Sequence, residues 1–179
     1  MYGIGIANKK NYNDNTSGVL LLLYLMHNLQ RQDVAFIFFD NEEKGLLGSI
    51  AIAKYLKANF KTYNTYQKIF INFDCIGRGD VVGLVATNGG KKVASDLIAL
   101  NTDEKLNYQM RKFSKLELSD HFSFRGFNSL GVMCYNKKGK KLILNNIHSH
   151  SDNYINLKQI ESIANTFIKY LNRDDEVNG

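Results

Sequence analysis

The chain has 179 residues, a length that fits one domain with a single sizeable core. Its 44% hydrophobic and 22% charged content is ordinary for a globular protein, and the net charge of +6 is spread over single Lys residues and short pairs. That spread lacks the basic stripe with interleaved aromatics that nucleic-acid binding asks for, and the apolar run 20–25 is too short to cross a membrane, because Asn28, Gln30 and Arg31 soon follow.

Residues 1–13 read as an irregular Gly- and Asn-rich loop without the features of a signal peptide. The polar cluster Asp14-Asn15-Thr16-Ser17-Gly18 carries helix-capping chemistry. A helix over 17–29 follows, apolar nearly all round and so expected to be well buried. His27 falls inside it. The β-branched and aromatic run 34–39 reads as a buried strand. It ends in the acidic turn Asp40-Asn41-Glu42-Glu43, before a helix over 46–59 and a polar link over 61–67.

Residues 68–74 form a second expected strand, also ending in an acid, Asp74. A turn over 75–80 leads to a strand over 81–86, a helix over 91–100 and a strand over 108–113. Ser119-Asp120-His121 opens a short helical or looped stretch, and 129–135 reads as a strand. The basic run 137–141 is expected to be a solvated hairpin or loop. His148-Ser149-His150-Ser151-Asp152 lies in a late loop. The last helix, over 160–171, places Ile160, Ile163, Ala164, Phe167, Ile168 and Leu171 on one face. The tail from Arg173 is charged and expected to fray. Cys75 and Cys134 sit in apolar runs and read as small buried hydrophobes rather than a disulfide. Strands alternating with helices, without repeats or an internal boundary, predict one α/β domain over 1–179, a helix-flanked mixed and mostly parallel sheet.

The chemistry-bearing residues fall at element ends. Ligands sit beyond the carboxyl ends of strands in open α/β sheets. There, Glu42 and Glu43 allow one carboxylate to ligate a cation and the other to move a proton on water. Asp14, Asp74 and His148 have the residue types of zinc ligands. Each also has a plainer reading: Asp14 as a helix cap, Asp74 as a turn acid, the Glu pair and His148 as solvated.

Five pieces in order resemble the co-catalytic zinc aminopeptidase family, to which glutamate carboxypeptidase and glutaminyl cyclase are related. They are Asn13-Asp14-Asn15-Thr16-Ser17-Gly18; Phe39-Asp40-Asn41-Glu42-Glu43-Lys44-Gly45-Leu46-Leu47-Gly48-Ser49; Ile71-Asn72-Phe73-Asp74-Cys75-Ile76-Gly77; Ser119-Asp120-His121; and His148-Ser149-His150-Ser151-Asp152. The resemblance implies that Asp14 bridges two zinc ions, that Glu43 and His148 complete one site, that Asp74 belongs to the other, and that Glu42 is the general base. It implies hydrolysis of the N-terminal bond of peptide substrates. Asp152 is a candidate to orient His148. His121, beside Asp120, is expected to order the pocket through hydrogen bonds, and His150 to be a loop residue able to reach a metal or substrate.

One departure stands out. The family's second site also takes a His from a His-x-Asp sequence ahead of the bridging aspartate, and no His precedes Asp14. The chain is therefore expected to be the larger, C-terminal part of the family domain. One Zn²⁺ is expected, or two if the missing His is supplied. An uncovered sheet edge would favour a homo-oligomer. Two alternatives remain: a single-zinc enzyme resembling glutaminyl cyclases, or an inactive folded fragment.

Overall fold

The structure, a computed structural model, describes residues 11–59, 68–113, 118–144 and 147–177. Most of the expected loop over 1–13 and all of the link over 61–67 lie outside them. In chain order the elements are α1 (Ser17–Asn28), α2 (Leu47–Asn59), β1 (Ile69–Asp74), β2 (Val81–Thr87), α3 (Gly90–Leu100), β3 (Asn107–Arg111), a single 3₁₀ turn (Asp120–Phe124), β4 (Asn128–Lys138), β5 (Lys141–Ile143) and α4 (Leu157–Val177).

The strands form a mixed sheet in the order β1-β4-β2-β3, with β5 hairpinned onto the end of β4. β4 runs parallel to β1 and antiparallel to β2, and β3 runs parallel to β2. The basic run 137–141 is the β4–β5 hairpin, turning at Gly139. Side-chain alternation divides the sheet into two faces. Phe73, Val82, Leu84, Leu130, Val132 and Cys134 pack with residues of α1, α3 and α4 into the main core. Full burial of a side chain such as Leu84 or Phe167 stabilises by roughly 1.5–3 kcal/mol each. On the opposite face Phe70 stacks on Phe124, with ring centroids 4.6 Å apart, and Phe127 meets the same ring edge-on. Asn72 and Asp74 share that face with Phe70, so strand parity carries Asp74 away from the main core.

Three expectations are corrected. Residues 34–39 form no strand, because none of the described strands lies alongside to complete their ladder; Phe36 packs on the core while Phe38 is 48% exposed. α1 is not buried all round: Leu21 and Leu25 face the core, whereas Val19, Leu23 and Met26 are exposed on the side that no described element covers. α4 starts earlier than expected and its helical backbone runs on to Val177, past the expected end at 171; Ile160, Ile163, Ala164 and Phe167 form its buried stripe.

Candidate metal centre

Asp14 is held by its neighbours' side chains. Asn13 Oδ1 accepts the Gly77 N–H at 2.7 Å, and Asn15 Nδ2 donates to the Phe73 carbonyl at 3.0 Å. Asn15 Oδ1 accepts from the Gly18 and Cys75 N–H groups, so the cap of α1 comes from Asn15 and leaves the Asp14 carboxylate free of that task. The Ser17 hydroxyl donates to the Asn13 carbonyl and accepts from the Ile76 N–H. This lacing brings α1 against the end of β1 so closely that a Cβ at Gly18 would lie 2.5 Å from the Phe73 carbonyl oxygen. The Asp14–Asn15 peptide is cis.

Asp152 completes the support. Its carboxylate accepts the Asn13 and Asp14 backbone N–H groups at 2.8 and 3.0 Å. Its place is thus beneath Asp14. Arg78, which the sequence reading passed over, lies 3.7 Å from the Asp152 carboxylate, donates to the Tyr154 and Ser151 carbonyls and rests over the Tyr154 ring. A basic residue in a Gly-flanked turn gives no sign in sequence of which loop it will clamp.

Glu42 and Glu43 sit in a turn closed by backbone bonds from Lys44 and Leu47 N–H to Asn41 C=O, and from Gly45 and Leu46 N–H to Glu42 C=O. The backbone is left-handed at Asn41, Gly45 and Leu46. α2 then packs down on the turn, and a Cβ at Gly48 would lie 2.6 Å from the Asp40 carbonyl oxygen. Across the cleft, His148 is also left-handed, with φ 52°.

These elements bring three residues together. His148 Nε2 lies 2.8 Å from Glu43 Oε1 and 3.1 Å from Asp14 Oδ2. One ligand atom from each of the three lies within 4.8 Å of the others. A second cluster shares Asp14: its carboxylate, that of Asp74 and the Cys75 sulfur lie within the same limit. Cys75 was expected to be a buried hydrophobe. It is buried, but its left-handed backbone, φ 53°, turns the thiol beside Asp74. No signal in the sequence marks that turn.

The charges around this point are unbalanced. Burial, then the Asp74 charge, pushes the Asp14 carboxyl up to about 7. Burial, then Asp74, Glu43 and Asp120, pushes Glu42 up to about 8. Asp74 Oδ1 is buried without a hydrogen-bond partner. Oxygen donors with one imidazole, short of positive charge, fit a dication such as Zn²⁺.

The remaining expected site residues lie around the cluster. Asp120 is buried, and burial raises its carboxyl while a Ser49 hydroxyl bond opposes the shift. His121 does not order the pocket by hydrogen bonds: neither ring nitrogen has a partner among the described residues. Its ring instead packs against Gly131 and meets Phe113 edge-on, and burial lowers its pKa. His150 is exposed and belongs to neither cluster.

Comparison with known proteins places this geometry. The profile of peptidase family M28 matches residues 6–171. No curated protein sequence matches the chain. Among solved structures, the zinc aminopeptidase of Bacillus subtilis superposes with a TM-score of 0.69 at 20% identity, covering 89% of this chain and 42% of that one. The aminopeptidase of Aneurinibacillus sp. strain AM-1 gives a TM-score of 0.69 at 22% identity, covering 91% of this chain and 39% of that one. Porphyromonas gingivalis glutaminyl cyclase gives 0.64 at 18% identity, covering 90% of this chain and 62% of that one. The chain therefore spans less than two thirds of each of these relatives.

Proposed function

Because this chain belongs to peptidase family M28, we propose that it is a zinc-dependent exopeptidase of aminopeptidase type, acting on the N-terminal bond of short peptides. The observation that carries the reading is the convergence of Asp14, Glu43 and His148, far apart in sequence, within 4.8 Å. In this reading those three hold Zn²⁺, with Asp74 on the other side of Asp14. A zinc ion there supplies a Lewis acid that acidifies water and polarises the peptide carbonyl.

The protein's own residues do the rest. Glu42 stands beside the cluster without belonging to it. Its carboxylate takes a proton from the attacking water and delivers it to the departing amine as the C–N bond breaks. Neighbouring positive charge lowers a carboxyl pKa, which brings Glu42 from about 8 towards the range where it both accepts and donates at neutral pH. Asp152 and Arg78 fix the backbone of Asp14.

The test is Glu42→Gln, assayed on aminoacyl anilides with zinc content measured alongside. Zinc retained and turnover lost supports the division of roles. Loss of both means that Glu42 and Glu43 have been exchanged in this account.

A second reading, single-zinc glutaminyl cyclisation, is favoured by one observation: among the described residues only one cluster combines carboxylates with an imidazole. Turnover of N-terminal Gln peptides without cleavage of anilides would select it. No bound zinc after refolding with excess metal would leave a folded, inactive domain. The exposed apolar residues of 37–38 and α1 fit association into a homo-oligomer, which sedimentation of the zinc-loaded chain would detect.

A further inference from the structure

We propose that the β4–β5 hairpin is a docking surface for acidic side chains carried downstream in the peptide substrate. The proposal rests on the exopeptidase reading and deepens it by naming a substrate class.

Four lysines crowd this hairpin: Lys137, Lys138, Lys140 and Lys141, all of them exposed. Lys138 stands directly opposite Lys141 in the ladder. Like charges so placed repel each other, and a carboxylate laid across them relieves that repulsion. Among the described residues none of the four ammonium groups is paired with an acid. Asp80 accepts the Lys137 backbone N–H at 3.3 Å rather than an ammonium.

Register relates the hairpin to the metal centre. β4 lies parallel to β1 with Met133 opposite Asp74, then continues past it to Lys138. A strand advances about 3.3 Å per residue, so Lys138 lies roughly 16 Å beyond Asp74 along that edge. An extended peptide with its first residue at the metal covers that distance in about five residues. Parity sets which way the charges face. Cys134 packs into the main core, and Leu142, opposite Lys137, packs against Met133 and Tyr135. Asn136, Lys138 and Lys141 therefore share the Cys134 side of the ladder. There Asn136 lines a cleft of about 270 Å³ with Arg78, Tyr154 and Gln159, and none of its lining residues is acidic. Gly77, also in its wall, gives its N–H to Asn13, the neighbour of Asp14. A path without carboxylates thus leads from the floor of the metal centre to the lysines.

The experiment compares amidated peptides that begin with Leu and are uncharged but for one inserted pair. The pair is Asp-Asp at positions five and six, Lys-Lys at the same positions, or Asp-Asp at positions nine and ten; a fourth peptide has no pair. Release of the first residue is followed on the zinc-loaded full chain, beside a leucyl anilide too short to reach the hairpin. The peptide with the nearer Asp-Asp should exceed the uncharged one about three- to twentyfold in kcat/KM, the worth of two exposed ion pairs. The gain should lie in KM and fade at high salt. Lys138→Glu with Lys141→Glu should erase it. Lys57→Glu with Lys91→Glu, the same change of charge on α2 and α3, should keep it. With the anilide cleaved, three results overturn the proposal and leave the exopeptidase reading standing: equal kcat/KM for all peptides, no dependence on the position of the pair, or a preference that survives the hairpin variant. If nothing is cleaved, fluorescence anisotropy of the same peptides, labelled, decides. Binding of the nearer Asp-Asp peptide that the hairpin variant loses supports the docking surface and overturns the exopeptidase reading. No binding overturns both.

Discussion

Asp14 and Glu43 face the same point but are held in opposite ways. Asp14 is 17% exposed at its side chain and stands on a turn fixed from below by Asp152, from one side by the Gly77 N–H and from the other by the Phe73 carbonyl. Glu43 is 61% exposed and His148 43%, and both lie on left-handed loop segments at the rim. Buried, fully bonded polar groups resist rearrangement, whereas exposed loop side chains reorient freely. One wall of the site is therefore buried and laced by hydrogen bonds, and the other is carried on exposed side chains. Metal affinity should depend on the rim, and stability on the floor.

The largest effect tests a residue on neither wall. Glu42→Ala should lower turnover by about a hundred- to ten-thousand-fold, the usual worth of a general base, with zinc content near wild type. Next come the rim ligands. Glu43→Ala and His148→Ala should abolish the thermal stabilisation by zinc, which at a hundredfold excess over Kd is about 2.7 kcal/mol. The metal-free Tm should barely move. A large drop in that Tm would mean the rim is structural after all.

The floor should answer in the reverse manner. Asp152→Ala leaves the Asn13 and Asp14 N–H groups without their acceptor, at a cost of about 1–3 kcal/mol for each one that water cannot reach. The metal-free Tm should fall, and the zinc-induced shift should persist at weaker affinity. Arg78→Ala should act in the same direction but less strongly, since the Asp152 carboxylate keeps its two backbone donors.

A further effect is on pH. The Asp14 and Glu42 carboxyls rise to about 7 and about 8 in the folded chain, from ordinary values of 3.8 and 4.5. Between those limits the folded state holds protons that the unfolded state has lost, so stability falls as pH rises. This contribution is complete below about pH 4 and gone above about pH 8. Metal-free protein should melt lower at pH 8 than at pH 5, apart from other groups. Zinc, favouring the ionised carboxylates, should flatten the slope.

The sequence foretold best what depends on local pattern. Strands β1, β2 and β4 were legible as apolar runs, and the core face of α4 as a helical stripe. The positions of Asp14, Glu43 and His148 followed from the order of the matched segments. What depends on neighbours was hidden. Residues 34–39 have a strand's composition, but a ladder needs a second strand beside it. α1 reads as buried because apolar side chains surround it, yet which faces are covered is decided by other elements. Cys75 reads as a small buried hydrophobe and is buried as expected, but the left-handed backbone that sets its thiol beside Asp74 is foretold by no pattern. The aim of Asp152 at the Asp14 backbone depends on how two distant loops meet.

Zinc-edge anomalous diffraction from a zinc-soaked crystal of the full chain tests the central claim most directly. The account predicts a peak within coordinating distance of Asp14, Glu43 and His148, with the Glu42 carboxylate beside it and off the metal. A zinc ion bound elsewhere, with those three side chains turned apart, would contradict it.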